Sequence, residues 1–519
     1  MKSIIKYLST NILIVDWFLI PFFIISMFLL PYVGAGWDEQ NAIYNGYRAL
    51  RFAYFIFTGQ FEQISLHEGS DEHGAALLFI PVLISKALGF RYSATSGGEV
   101  QYIFHVFNLT LFVASLRYFF LTLRSLSIRP FLALLGVIVV ALHPRLFFGA
   151  YNSFYDVNFL SFTIIVSYYC LEFLRSPNRK SMFCAAFVTG INIDVRIVAV
   201  MFFAMTLIYG LVKFPKPQKV WLLPYTLITA VTVYLFWPML WLNPLDNWAW
   251  AWGLNSNIGW NGEALYFGEL IKARILPWHY NFVWIGLTTP LFVLALVLMG
   301  SIWGFIKMVS SPVKVCFYQP EIGWFIAWAW VPLLAPLVLN TTLFDGWRHH
   351  YFVFPPLVAL GCILLNKVNL LEVKPVYRFM TFCLISGSTL IATYSTFPHC
   401  NIYFNPLYRI TDKYKNDLGM SFEMDYWGVS YLQGLEAILR LTEKPIIRVR
   451  PDHMRPALLN WKLLSEADRS RVKLIEDGEN YDYFVSNFRF RTQEFSPSIG
   501  NEVFSKSYLK TKFLTVREK

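Results

Sequence analysis

Apolar runs of about 20 residues, long enough to cross a ~30 Å hydrocarbon core, recur along most of the chain. The first, about Ile12 to Val33, follows Lys2 and Lys6 and lacks a small-x-small cleavage site. It is too long for a signal-peptide core and reads as an uncleaved signal-anchor helix with its N-terminus inside. Later runs predict helices near residues 102–124, 131–149, 157–174, 182–193, 197–212 and 220–240. Four more follow near 281–307, 322–340, 351–366 and 376–396. Together they make about 11 spans, of which 182–193 is short and interrupted by Gly190.

Ala75 to Phe90 is apolar but short, with Pro81 and Lys86 inside it. Basic residues decide its place. If it lies at the surface or re-enters, Arg117, Arg124 and Arg129 fall inside. So do the later clusters at Arg175–Lys180, Lys213–Lys219, Lys307–Lys314 and Lys367–Arg378. If it spanned, all of them would fall outside, against the positive-inside rule. The outer side then holds 34–98, the turns at His143–Asp156, Asp194–Arg196 and Asn340–His350, the loop 241–280 and everything after Pro398.

Residues 1–396 thus form a transmembrane module and 397–519 an extracytoplasmic α/β unit. In that unit the pattern predicts helices over Val429–Leu441 and Ala457–Leu464. Strands are expected at Ile446–Val449, Val472–Ile475, Tyr483–Ser486 and Phe513–Val516.

The composition agrees: of 519 residues, 56% are hydrophobic and only 15% charged, against about a quarter charged in soluble domains. A soluble enzyme, a disordered tail and a fibrous repeat are excluded. The formal charge of +11 suggests nucleic acid, but the basic residues sit in short clusters between apolar runs. Membrane lipids are the partner this implies. Six cysteines, four of them inside apolar runs, are too sparse for a disulfide framework.

Trp37-Asp38-Glu39 stands a few residues beyond the first helix and opens an amphipathic stretch with Ile43, Tyr44, Tyr47 and Leu50 on one face. An acidic pair there can act as general base on a hydroxyl; as a bland alternative, Asp38 caps the next helix. His143-Pro144-Arg145 leads to Tyr151-Asn152-Ser153 and to Asp156, a charge at the lip of an apolar run, where charges are costly. Arg196, beside Asp194, and Arg348, in Asp345-Gly346-Trp347-Arg348-His349-His350, offer forks for a phosphate. Pairing with Asp194 or snorkelling are their structural alternatives. His67, Glu68, Asp71, Glu72 and His73 leave a divalent cation possible, although their spacing matches no ligand motif and a solvated loop suffices. Asn340-Thr341-Thr342 is a formal glycosylation sequon abutting a span. An outer-facing enzyme would meet no cytosolic nucleotide sugar, so an activated substrate must come through the membrane.

Trp37-Asp38-Glu39 resembles the first acidic motif of GT-C fold glycosyltransferases, in the branch holding protein O-mannosyltransferases and the bacterial aminoarabinose transferase. His143–Phe148 through Asn152 and Asp156 resembles that branch's second motif. Leu276-Pro277-Trp278-His279-Tyr280, Trp347–Tyr351 and Asp425-Tyr426-Trp427-Gly428 are similar to further segments, in the same order, up to about residue 440. The resemblance implies transfer of a sugar from a polyprenyl-phosphate donor to an extracytoplasmic hydroxyl on a glycan, lipopolysaccharide, other lipid or protein. It implies inversion, with Asp38 as base, Glu39 and Asp156 orienting, and Arg196 and Arg348 on the donor phosphate. His143, Arg145, His279, His349 and Asp425 become candidate substrate contacts. Arg196 stands where a lysine is usual in the aminoarabinose branch, and the Glu68–His73 segment departs from the pattern.

The setting this implies is a bacterial inner membrane. Three rivals stay open, one of them an outer-face ligase or acyltransferase that would use another donor and depend on a different set of outer residues. A transporter or flippase of lipid-linked sugars predicts mid-membrane charges and an internal repeat, and neither is evident. A non-catalytic glycan-assembly subunit would tolerate loss of Asp38.

Overall fold

The computed structural model describes residues 2–67, 72–93, 96–256, 260–315, 319–339, 341–368, 374–411, 418–490 and 495–519. Glu68, Asp71 and Asn340 lie outside the described residues.

The helical part runs α1 (Lys2–Leu29), α2 (Glu39–Phe57), α3 (Phe79–Ala87), α4 (Gly98–Ser125), α5 (Pro130–Ala141), α6 (Pro144–Asn152), α7 (Phe154–Arg175), α8 (Arg179–Val195) and α9 (Val200–Lys213). It continues as α10 (Leu222–Phe236), α11 (Pro244–Ser256), α12 (Tyr280–Thr288), α13 (Leu291–Ser310), α14 (Pro320–Leu339), α15 (Phe354–Lys367) and α16 (Pro375–Thr396). Among the described residues, eight helices are long and apolar enough to cross a membrane, and nine if α5 and α6 form one span bent by 62°. His143-Pro144 sits at that bend, where proline ends one helix and starts the next. The protein is a polytopic helical membrane protein. The runs expected at 182–193 and 197–212 are shorter helices, α8 of 17 residues and α9 of 14. α8 stops at Val195, where Arg196 takes an extended conformation (φ −153°, ψ 130°).

α3 has nine residues, about 14 Å, too short to cross. It packs on α2 and α4 and leaves Ile80, Leu83 and Ile84 exposed. α4 packs on α5 and α7, α7 on α8, α8 on α10, and α13 on α15. The α13–α15 crossing needs small residues: a Cβ on Gly300 would lie 2.3 Å from the Gly361 backbone nitrogen. Large apolar side chains such as Trp17, Phe28, Phe305 and Ile391 remain exposed around the bundle, as a lipid-facing surface requires.

The C-terminal unit holds a five-stranded mixed sheet. After a hairpin in the bundle, β1 (Glu263–Tyr266) with β2 (Glu269–Lys272), come β3 (Ile447–Pro451), β4 (Val472–Leu474), β5 (Tyr483–Ser486), β6 (Asn501–Tyr508) and β7 (Thr511–Glu518). Their order is β4-β3-β5-β7-β6, with β3 parallel to β4 and β5, and β7 antiparallel to β5 and β6. Helices Tyr431–Leu441 and Met454–Trp461 pack beside the sheet.

The unit grips the chain leaving α1. Buried Asn460 accepts from the Ala35 N–H (2.8 Å) and donates to the carbonyls of Ala35 (3.0 Å), Gly428 (3.1 Å) and Pro456 (2.8 Å). A Cβ on Gly34 would meet the Val429 carbonyl at 2.3 Å, so only glycine permits this approach.

Candidate active site

The ends of α1, α7, α8 and α15 that lie beside this unit bring the charged residues together. Trp37 donates its N–H to the Trp427 carbonyl (3.1 Å), which fixes the start of α2 against the C-terminal unit. Asp38 takes the position before α2 yet makes no side-chain cap. Its carboxylate instead accepts from Arg348 Nη1 at 2.5 Å. Glu39 points elsewhere: one oxygen accepts from the Gly36 N–H (2.7 Å), and the other lies 2.9 Å from His105 Nε2. The buried face of α2 includes Ala42, Ile43, Asn45 and Gly46, while Tyr44, expected to share a face with Ile43, is 58% exposed.

Arg348 is the hub. It is 7% exposed, and besides Asp38 its fork lies 3.5 Å from Asp156 and 3.4 Å from Asp345. Its guanidinium also lies over the rings of Phe344 and Trp427, both at 4.9 Å. Asp156 starts α7, accepts from Ser153 Oγ (3.0 Å) and pairs with Arg196. Asp345 is held on its other oxygen by Arg489 (2.9 Å), from the C-terminal unit. Three aspartates and three arginines therefore alternate in one network. Asp38 is its exposed edge, with 30% of its side chain accessible against 1% for Asp156.

Two ionisable groups border the network. Burial and the neighbouring Arg196 push His73 down to about 3, with Asp156 pulling the other way, so its imidazole is neutral at physiological pH. Burial and repulsion from Asp345 push Glu423 up to about 8, although Arg489 and the Leu265 N–H oppose this.

The other expected contacts sort themselves. His349 lies beside Arg348, its ring 4.6 Å from Phe344. Arg145 borders the network at Gly346 but is fully buried beneath Trp284 (5.0 Å), Phe404 (5.8 Å) and Tyr426 (5.9 Å). None of its nitrogens has a hydrogen-bond partner among the described residues. His143 is likewise buried, 3.3 Å from Thr289 Oγ1 and against Trp347 and Phe354. His279 Nδ1 lies 2.6 Å from the Tyr266 hydroxyl at the hairpin, and among the described residues no hydrogen bond or ion pair joins it to the network. Asp425 is buried, 1% exposed. Its oxygens are occupied by Asn401 (3.1 Å) and the Ser430 N–H (2.9 Å), so it braces a turn of the C-terminal unit. Among the described residues no three His, Cys, Asp or Glu side chains are arranged to hold a metal.

Sequence reasoning missed His105, Arg489 and Glu423. His105 carried a signal, being a lone polar ring within an apolar run. Arg489 and Glu423 lie among ordinary polar residues of a mixed segment, which gives none.

No family model matches the chain, and no curated protein does. Solved structures do. Over nearly its whole length the chain is similar to ArnT. The crystal structure of ArnT from Cupriavidus metallidurans bound to undecaprenyl phosphate superposes with a TM-score of 0.47 at 11% identity, covering 97% of each chain. Its apo state gives 0.48 at 11% identity, covering 98% of each. The cryo-EM structure of arabinofuranosyltransferase AftD from Mycobacteria gives 0.44 at 11% identity, covering 97% of this chain and 40% of that one.

Proposed function

We propose that the protein is a membrane glycosyltransferase that moves a sugar from a polyprenyl-phosphate donor to an acceptor hydroxyl outside the cytoplasm. One observation carries the reading: an accessible carboxylate, Asp38, shares a bundle end with two arginine forks able to hold a phosphate. The orientation follows from charge. The lysine and arginine clusters at the ends of α4, α7, α9 and α15 lie at the opposite end of the bundle, which the positive-inside rule assigns to the cytoplasm.

The chemistry is a single displacement with inversion. Asp38 takes the acceptor's hydroxyl proton, and the acceptor oxygen forms a bond to the sugar's anomeric carbon. The bond from that carbon to the phosphate oxygen breaks, and the lipid phosphate leaves with the electron pair. Arg348 and Arg196 stabilise the leaving anion, the kind of interaction whose loss costs about 10²–10³ in rate. Within the chain Arg348 neutralises Asp38, so an arriving phosphate competes for the fork and frees the carboxylate to act as base. Glu39, fixed by His105 and the Gly36 N–H, holds the turn that presents Asp38. Asp156 keeps the two arginines in register.

The test is sugar transfer in membranes with a panel of polyprenyl-phosphate sugars and extracted envelope acceptors. Wild type is compared with Asp38→Asn at matched expression and matched elution on size exclusion. Undecaprenyl phosphate, the ligand in the similar ArnT structure, is the first competitor to try. Asp38→Asn is expected to lose about 10²–10⁴ in rate. Full activity in the variant overturns the base assignment. Absence of transfer by wild type across the whole panel overturns the enzyme reading.

A further inference from the structure

The network contains one member that the first 396 residues do not supply. Arg489 follows β5, between Phe488 (φ +59°) and Phe490 (φ +58°). Non-glycine residues are strained in the left-handed region, so the surroundings must impose this shape. They do so through Asn487, which donates to the Asp425 carbonyl (2.7 Å), and Ser486 Oγ, which accepts from the Phe488 N–H (3.0 Å). The guanidinium so presented donates to the Tyr426 carbonyl and to Asp345 Oδ1, and lies 4.8 Å from the Trp37 ring and 4.5 Å from Phe490.

From this geometry we infer that Arg489 is a positioning residue for the transfer: by holding Asp345 it keeps Arg348 shared with Asp38 and Asp156. Asp345 Oδ1 lies 2.9 Å from Arg489, whereas Oδ2 lies 3.4 Å from Arg348. Without Arg489 a buried carboxylate would have, among the described residues, Arg348 as its only cation and would draw the fork toward itself, away from Asp38. Arg489 also covers Trp37, the residue before Asp38, so both partners of the central ion pair are set from the C-terminal unit. A simpler alternative is that Arg489 merely glues the unit to the bundle; it predicts lost stability with no specific link to Asp38.

The inference rests on the proposed transfer for its kinetic consequence, and on geometry alone for the coupling. Full-length Arg489→Gln is expected to lower kcat roughly 10- to 100-fold with KM for the donor nearly unchanged, as a misplaced catalytic group does. Arg489→Lys, which keeps the charge without the fork, restores part of that loss. Asp482→Asn, which removes contacts to Lys444 (3.1 Å) and the Arg448 N–H (2.8 Å) elsewhere in the unit, leaves transfer unchanged. In thermal unfolding, Arg489→Gln and Asp38→Asn combine non-additively although they do not touch, while Arg489→Gln and Asp482→Asn add. If Arg489→Gln does not fold, Arg489→Lys enters the same cycle. An unchanged kcat, or additivity with Asp38→Asn, overturns the inference. A wild type without transfer overturns the function instead, and the unfolding cycle still decides the coupling.

Discussion

Two buried arginines border the same turn, and their surroundings are opposite. Arg348 faces three carboxylates, two of them from distant segments of the chain. Arg145 faces three aromatic rings and, among the described residues, no hydrogen-bond partner. A cation among carboxylates can exchange one anion for another at little net cost, since a phosphate replaces a charge already compensated. A cation among rings has only their quadrupoles, about 0.5–2 kcal/mol each, against the full cost of its burial. Exchange chemistry belongs to the first environment; the second is a standing liability within the fold.

The largest effect expected from this contrast is at the hub. Arg348→Gln leaves Asp156 and Asp345 buried without their shared cation, and breaking such pairs costs about 3–5 kcal/mol. Thermal unfolding should show a large loss, and transfer should fall about 10²–10³-fold. A variant as stable as wild type would mean that the three contacts are incidental. Arg145→Met tests the other side with the opposite sign. Removing an unpaired buried charge while keeping its volume is expected to hold or raise the unfolding temperature, by up to about 4 kcal/mol equivalent. A clear drop would show that the rings, or a group they enclose, compensate the charge.

Glu423 sharpens the boundary between the two environments, since its neighbour Phe422 packs on Trp284 (5.5 Å), the ring that covers Arg145. Its carboxyl, raised to about 8, stays protonated in the folded chain at pH values where the unfolded chain has released the proton. Its contribution to stability is present below about pH 4.5 and is lost as pH rises toward 8. Unfolding midpoints measured from pH 5 to 8.5 should fall with pH in wild type, with a shallower slope in Glu423→Gln. Equal slopes would place the titration elsewhere.

The spans and the charged ends of helices were legible because a charge at the lip of an apolar run is expensive and stands out in one dimension. Asp38, Asp156, Arg196 and Arg348 were all marked in that way. Their pairing was not legible: Arg348 and Asp38 are 310 residues apart, and neither carries a sign of the other. Neighbouring acids were no easier to separate, since the opposite fates of Asp38 and Glu39 depend on His105 and Arg348, which are far away in sequence. In the sheet, Tyr483–Ser486 was read with its true bounds, helped by burial on every residue. Asn501–Tyr508 was missed, because an almost wholly exposed strand has no apolar alternation to reveal it.

The Asn460 amide has a consequence for how such a chain can change over evolutionary time. An appended domain on a tether can be exchanged for another without disturbing its host. Here the amide completes the backbone pairing of Ala35, three residues before Asp38, in both directions. The tail and the charged network around Asp38 are therefore bound to evolve as one heritable block, and any change arising in the tail has to preserve that clasp.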